Sequence, residues 1–398
     1  MQGSPQTSPR ALLTRKLWIE VAIVIAIALI LWFVGPNILV AAGQGARVNQ
    51  LGRFMSLAIV ALGIDLIWGY TGMLSLGHGI FFALGGYGIA MHLLQRPIGT
   101  QTELSVPEFF SLYGVSDLPW FWVPFQTMPV SLIAIVAVPA VIAGLLGYLV
   151  FRSRIKGVYF SILTQASLIV FFNFFNGQQK LINGTNGLTT STTYLFGKQV
   201  GSPEIQSFFL GLTVILLAIA YGVCRVLVSG RLGKLLIAIR DDESRLRFSG
   251  YNPTGFKVLV FAVSAALAGI AGALYTVQSG SVTPKFMDVP FSIEMVIWVA
   301  VGGRGTLVGA VFGALLVNFA KTLLSEQFPQ IWLFFQGALF LLVVTVLSDG
   351  IIGWIKADGV ELWQSLRGKK RLSTYPSLES DPDVVYERKT IGNQQSDR

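Results

Sequence analysis

Pro129-Val130-Ser131-Leu132-Ile133-Ala134-Ile135-Val136-Ala137-Val138-Pro139-Ala140-Val141-Ile142-Ala143-Gly144-Leu145-Leu146-Gly147-Tyr148-Leu149-Val150-Phe151 carries no charge from end to end, and Arg152, Arg154 and Lys156 follow it at once. A helix needs about 20 apolar residues to cross roughly 30 Å of hydrocarbon. Backbone polar groups find no water at that depth, so a helix that satisfies them internally is the natural way across. This stretch sets the reading of the whole chain, because blocks like it recur along its length. The chain has 398 residues, 53% hydrophobic and only 12% charged. Soluble domains carry about twice that charged fraction. The alternating segments of about ten residues that mark a membrane β-barrel are absent.

The apolar blocks predict an all-α, polytopic helix bundle of about ten spans, at 17–41, 53–70, 73–94, 129–151, 157–176, 206–228, 256–279, 290–302, 305–325 and 331–353. The eighth is short and runs into Gly302-Gly303-Arg304-Gly305, so nine spans plus a half-helix or re-entrant segment is the alternative count. Placing both termini in the cytoplasm puts 22 of the 29 basic residues inside and seven outside. That is the asymmetry expected of loops that stay in the cytoplasm. The domain reading is therefore a cytoplasmic segment 1–16, a membrane domain 17–354 with a cytoplasmic loop at 229–255, and a Ser-, Asp- and Arg-rich tail at 355–398 expected to be disordered. The run from Leu17 to about Ala42 is longer than the core of a secretory signal and is expected to be a retained span. Leu118-Pro119-Trp120-Phe121-Trp122 ends an external loop and is expected to rest at the membrane interface.

Several classes drop out. The formal charge of +9 is spread over loops in the positive-inside pattern, which gives no reason to expect a nucleic-acid partner. Cys224 is the sole cysteine and His78 and His92 are the only histidines, so neither a disulfide nor a histidine-based metal site is expected. No Gly-x-x-x-x-Gly-Lys-Ser/Thr loop is present, so ATP would have to be bound by another subunit. No nucleophile–base or metal constellation suggests an enzyme, and no cofactor is expected.

The most informative polar segment is Ser229-Gly230-Arg231-Leu232-Gly233-Lys234-Leu235-Leu236-Ile237-Ala238-Ile239-Arg240-Asp241-Asp242-Glu243, continuing through Arg245, Arg247 and Gly250 to Asn252-Pro253. Leu232, Leu235, Leu236, Ile239 and Leu246 recur at helical spacing and give one apolar face. The spacing predicts a short amphipathic helix between two spans. It could lie on lipid or serve as a linker, or it could dock on a partner. Asp241, Asp242 and Glu243 weigh towards docking, because a face meant for lipid headgroups favours Lys and Arg over carboxylates.

This segment resembles the cytoplasmic loop of branched-chain amino acid ABC importer permeases, with its pattern Gly-Arg…Ala-Ile-Arg-Asp-x-Glu…Gly-x-Asn. The following Lys257-Val258-Leu259-Val260-Phe261 and Ser264-Ala265-Ala266-Leu267-Ala268-Gly269-Ile270-Ala271-Gly272-Ala273-Leu274-Tyr275 look like that family too. The resemblance covers about residues 50–354. Within the family, Gly72-Met73-Leu74-Ser75-Leu76-Gly77-His78-Gly79, Phe81-Phe82-Ala83-Leu84-Gly85-Gly86-Tyr87, Leu118–Trp122 and Ile297–Ala310 are most similar to the urea-type permease subunit. The resemblance implies half of a translocation pathway in a bacterial cytoplasmic membrane. It also implies a second related permease, two ABC ATPase subunits and an external solute-binding protein. Coupling to the ATPase would fall to Arg231, Gly233, Ala238, Arg240, Asp241, Asp242, Glu243 and Gly250.

Glycines crowd two places: Gly69, Gly72, Gly77, Gly79, Gly85, Gly86 and Gly88 in the second and third spans, and Gly302, Gly303, Gly305, Gly309 and Gly313 at the eighth and ninth. Glycine interrupts helices and lets backbones approach closely, and interrupted helices often mark a transport site. Simple tight packing explains such glycines equally well. Ionisable groups inside apolar spans are functional candidates, which points to Asp65, His78 and Glu294 as pathway lining, beside purely structural roles. Gln165 with Asn173 on the fifth span, and Trp298 beside the second break, complete the candidates. The expected cargo is urea, a neutral solute that donates and accepts hydrogen bonds, with branched-chain amino acids or short amides as the alternative. An autonomous secondary transporter or channel, needing intramembrane carboxylates such as Asp65 and Glu294, is the rival from another class.

Overall fold

The computed structural model describes residues 32, 47–95, 106–155, 157–328, 331–345 and 350–351. In chain order the helices are α1 (Arg47–Thr71), α2 (His78–Leu94), α3 (Glu108–Leu112), α4 (Met128–Arg152), α5 (Val158–Gly177) and α6 (Gln179–Ile182). They continue as α7 (Pro203–Ser229), α8 (Arg231–Phe248), α9 (Pro253–Ser279), α10 (Val289–Gly302), α11 (Leu307–Gln327) and α12 (Trp332–Thr345). Six of them, α1, α4, α5, α7, α9 and α11, are long and apolar enough to cross a membrane; α2 and α10 are shorter and equally apolar. The chain is a polytopic bundle of membrane helices. The expected first span, 17–41, lies outside the described residues, as do the segment 1–16 and the tail 355–398.

Two of the expected spans are shorter helices. The third, 73–94, is helical only from His78, later than expected; the eighth, 290–302, is the 14-residue α10, in keeping with the half-helix alternative. Glycines stand at both boundaries. α1 ends where Gly72 takes a left-handed φ of 74° while its N–H still bonds the Trp68 carbonyl, at 3.0 Å, a turn that L-residues with a Cβ resist. Met73–Gly77 then runs without helical bonds. Its polar backbone is met by α5: the Ser161 hydroxyl donates to the Leu74 carbonyl at 2.7 Å, and Leu76 N–H donates to Thr164 Oγ1 at 3.0 Å. α10 ends at Gly303 (φ 120°) and Gly305 (φ 77°).

α9 is the hub, packed against α1, α2 and α4, and α1 in turn packs against α7 and α11. The α2–α9 crossing is close because Gly85 faces Gly269, and a Cβ on Gly85 would overlap the Gly269 carbonyl. Gly269 also abuts Pro139 and the Ile135 carbonyl of α4, the carbonyl that proline, having no N–H, leaves without its helical donor. Burial is uneven: 78% of the α1 membrane stretch is enclosed by the chain but only 22% of the α5 stretch. The outer faces of α4 and α5 carry Leu132, Ile133, Val141, Leu145, Ile162 and Val170 in exposed positions.

Among the described residues, four two-residue strands depart from a purely helical reading: β1 (Leu188–Thr189), β2 (Tyr194–Leu195), β3 (Lys198–Gln199) and β4 (Ser281–Val282). β1 pairs antiparallel with β4, Leu188 opposite Val282, and so ties the end of α5 to the end of α9; β2 pairs antiparallel with β3. Asn183 (φ 56°), Gly184 and Gly187 shape the turn before β1, with the Asn183 amide donating to the Gly187 carbonyl at 2.8 Å. This is the ordinary turn chemistry of Asn-Gly pairs.

Candidate functional site

The charged segment is built as a corner, a helix and a bend. At the corner after α7, Gly233 lies so near the Val228 carbonyl that a Cβ would overlap it. From Arg231 the chain is helical to Asp241, and Asp242 (φ −158°, ψ 100°) then leaves helical geometry altogether. The single amphipathic helix expected here is thus two short ones. Asp242 starts the second: its Oδ1 accepts from Ser244 N–H at 2.9 Å and, longer, from Arg245 N–H at 3.4 Å, the work of an N-cap. Gly250 (φ 85°) ends the segment, and Asn252 accepts from Thr254 N–H at 3.1 Å to start α9.

The acidic triplet therefore divides into three different environments. Asp241 points outward, its side chain 68% exposed. Asp242 caps. Glu243 turns inward onto the same face as Leu236, Ile239 and Leu246, where its carboxylate accepts from Lys257 Nζ of α9 at 2.6 Å and from Arg247 at 2.7 Å. A carboxylate taken from water needs such partners. The reading that all three carboxylates face a partner is corrected for Glu243.

Arg240 reaches the other way. Its Nη1 donates to the Gly69 carbonyl in the last turn of α1 at 2.9 Å, and its stem passes Gly72. A cation on the last carbonyls of a helix sits at the negative end of the helix dipole. Just beside this contact, Asp65 Oδ1 accepts from Gly305 N–H at 2.6 Å, and the Arg304 guanidinium lies 5.5 Å from the Trp68 ring centre. The charged segment, the end of α1 and the α10–α11 turn are thus one connected junction. Arg231 stands exposed at its edge and Ala238 is half-buried.

The remaining candidates lie apart from this junction. His78, at the start of α2, is buried and hydrogen-bonded to Ser264 Oγ of α9 at 2.7 Å, and that hydroxyl donates to the Gly63 carbonyl of α1 at 2.6 Å. The histidine nitrogen therefore carries the proton, and three helices are joined through it. Glu294 is held by both oxygens to Lys321 of α11, at 2.7 and 2.8 Å. Trp298 is fully buried on α10, with its ring edge-on to Phe291 at 6.2 Å. Gln165 is half-buried and Asn173 exposed on α5, the Asn173 amide bonding its own helix at Ile169. These residues are not gathered into one site. Gly77 and Gly79 sit tight against Thr164, Phe286 and Ser292; Gly86 abuts Thr276, and Gly302 abuts Gly309.

Sequence reasoning missed the roles of Lys257 and Ser264, partners supplied from α9. It also missed Phe248 and Tyr251, 92% and 50% exposed just past the bend. Phe248 could have been found, since a large aromatic flanked by Arg247, Ser249 and Gly250 has no apolar company in sequence.

Comparison with known proteins fits this architecture. Residues 46–344 match the family described as "Branched-chain amino acid transport system / permease component". The chain is similar to the high-affinity branched-chain amino acid transport system permease protein LivM of Escherichia coli, 26% identical over 320 residues, or 75% of this chain and 68% of that one. It is also similar to BraD of Pseudomonas aeruginosa, 22% identical across 77% of this chain and 94% of the relative, and to LivH of Salmonella typhimurium, 24% identical across 74% and 91%. None of these singles out a urea-type subunit. No solved structure matches the chain. The match spans residues 46–344, three quarters of the chain, and the chain belongs to the branched-chain amino acid transport permease family.

Proposed function

We propose that the chain is a pore-forming subunit of an ATP-driven importer in a bacterial cytoplasmic membrane, with α8 on the cytoplasmic side as the segment gripped by a separate ATPase. The observation that carries this reading is the two-sidedness of α8. Its inner face is tied to α1 through Arg240 and to α9 through Glu243. Its outer face leaves Arg231, Lys234, Ile237, Asp241 and Phe248 exposed. An exposed aromatic together with the exposed carboxylate Asp241 suits a protein contact, since a headgroup-facing surface favours Lys and Arg over carboxylates. The complete machine has two ATPases, a second related permease and an external solute-binding protein. The chain does no covalent chemistry and needs no cofactor.

The relatives are named for branched-chain amino acids, and that class is the first reading of the cargo. Urea is the second, favoured by one observation. The buried carboxylates Glu243 and Glu294 are already answered by Lys257 and Lys321, and one oxygen of the Asp65 carboxyl group, Oδ1, accepts from Gly305 N–H. Side chains so engaged suit a neutral solute better than a zwitterion, which needs a partner for each charge. Uptake of labelled leucine and labelled urea in cells lacking this chain separates the two. Loss of leucine uptake alone establishes the first reading, loss of urea uptake alone the second. Undiminished uptake of both removes both. Replacing Phe248 by Ser is expected to cost the ATPase contact about 2 kcal/mol, as loss of a central aromatic anchor does, and co-purification with the ATPase measures it.

A further inference from the structure

The Glu243–Lys257 pair invites the question of why a charge pair is there at all. Both side chains are almost wholly enclosed, at 6% and 5% exposure, and their atoms meet at 2.6 Å. Arg247 closes on the same carboxylate at 2.7 Å, and the Lys257 ammonium lies 5.6 Å from the Phe151 ring centre of α4. A buried pair of this kind adds little net stability over well-packed apolar side chains of the same volume. What it adds is register. Apolar surfaces can slide by a fraction of a turn at small cost, whereas a slip here strands charges away from water. The contact therefore resists shear.

Its position gives that stiffness a use. Glu243 directly follows the bend at Asp242, and Lys257 lies in the first turns of α9, the helix packed against α1, α2 and α4. Before the bend, the segment holds α1 instead, through Arg240 on Gly69. Two arms, parted by one non-helical residue, grip two different central helices.

We propose that Glu243 and Lys257 form a rigid link that carries displacement of α8 into α9, so that the arm after Asp242 and the start of α9 move as one body. Glu243 and Lys257 are positioning residues in this role; Asp242 is the point that gives. The proposal rests on the reading that α8 docks on a separate ATPase.

The test uses the assembled transporter carrying C224S, E243C and K257C together, so that this chain offers the reagent only the two introduced thiols. Uptake and ATP hydrolysis are measured before and after joining the two thiols with a short, reducible bis-methanethiosulfonate. Unjoined, the variant is expected to hydrolyse ATP while moving about tenfold less solute per ATP, the scale of a strong pairwise coupling. Joined, it recovers the wild-type ratio to within about twofold, and reductant abolishes the recovery. A linked protein that stays uncoupled, or stops altogether, overturns the proposal, since α8 must then move relative to α9. An unlinked variant with the wild-type ratio overturns it too. If the double variant does not assemble, E243Q is read for the same ratio, with E243D as the conservative control. A drop in E243Q that E243D largely restores supports the link; equal losses of uptake and hydrolysis in E243Q overturn it. Failure of the docking reading shows separately, as a wild-type chain that does not hold the ATPase.

Discussion

The two helix breaks look alike in sequence and are held in different ways. Between α1 and α2 the chain runs without helical bonds from Met73 to Gly77, its backbone met by hydroxyls of α5, Ser161 on Leu74 and Thr164 on Leu76. Between α10 and α11 the break is a tight turn at Gly303–Thr306, held by a carboxylate, Asp65 on Gly305, and by Thr306 Oγ1 donating to the Gly303 carbonyl at 2.6 Å. The first break is thus fastened by neutral groups to a helix whose membrane stretch is only 22% enclosed. The second is fastened by charge to the most enclosed helix. α1 takes part in both, because Arg240 meets it at Gly69, between Asp65 and Gly72. Movement at α8 would reach the first break directly and the second only through α1.

Substitutions at the fasteners test that difference, and the largest effect belongs to the second break. Asp65→Ala removes a fully buried side chain, leaves the Gly305 N–H of a half-buried turn without its acceptor and is expected to lower stability by about 3 kcal/mol, while Asp65→Asn, which keeps an oxygen there, costs about 1 kcal/mol. Denaturant unfolding in detergent measures both. Equal losses would mean that the hydrogen bond does not hold the turn. Thr164→Val at the first break removes a neutral acceptor and is expected to cost about 1–2 kcal/mol, with Thr164→Ser nearly silent. If Thr164→Val cost more than Asp65→Ala, the order of the two breaks would be reversed. Arg240→Met removes a partly exposed cation from the end of α1 and is expected to cost the least, about 0.5–1 kcal/mol. Its effect on solute moved per ATP should nevertheless exceed that of Thr164→Val.

Hydropathy located α4, α5, α9 and α11 to within a few residues, because lipid-length apolar runs bounded by charge leave little freedom. It misplaced the start of α2. Met73, Leu74 and Leu76 are as apolar as any helix, and their non-helical course depends on Ser161 and Thr164, far away in sequence. The direction of Glu243 was partly legible: Leu236, Ile239, Glu243 and Leu246 share one face at helical spacing, so a carboxylate in that row has to find a cation. That the cation is Lys257 is a fact of packing. The bend at Asp242 was hidden for another reason, since two successive acids inside a helical pattern read as a charged face, and only the cap on Ser244 shows the second to be a start. The pairing of β1 with β4 joins residues in separate loops, and no local pattern announces it.

The central claim is that this bundle moves solute only when a separate motor grips α8. Vesicles holding the chain with its second permease, the ATPases, the solute-binding protein and ATP should concentrate solute, and vesicles holding the chain alone should not, whatever ion gradient is imposed. Accumulation against a gradient by the chain alone, without nucleotide, would contradict the account.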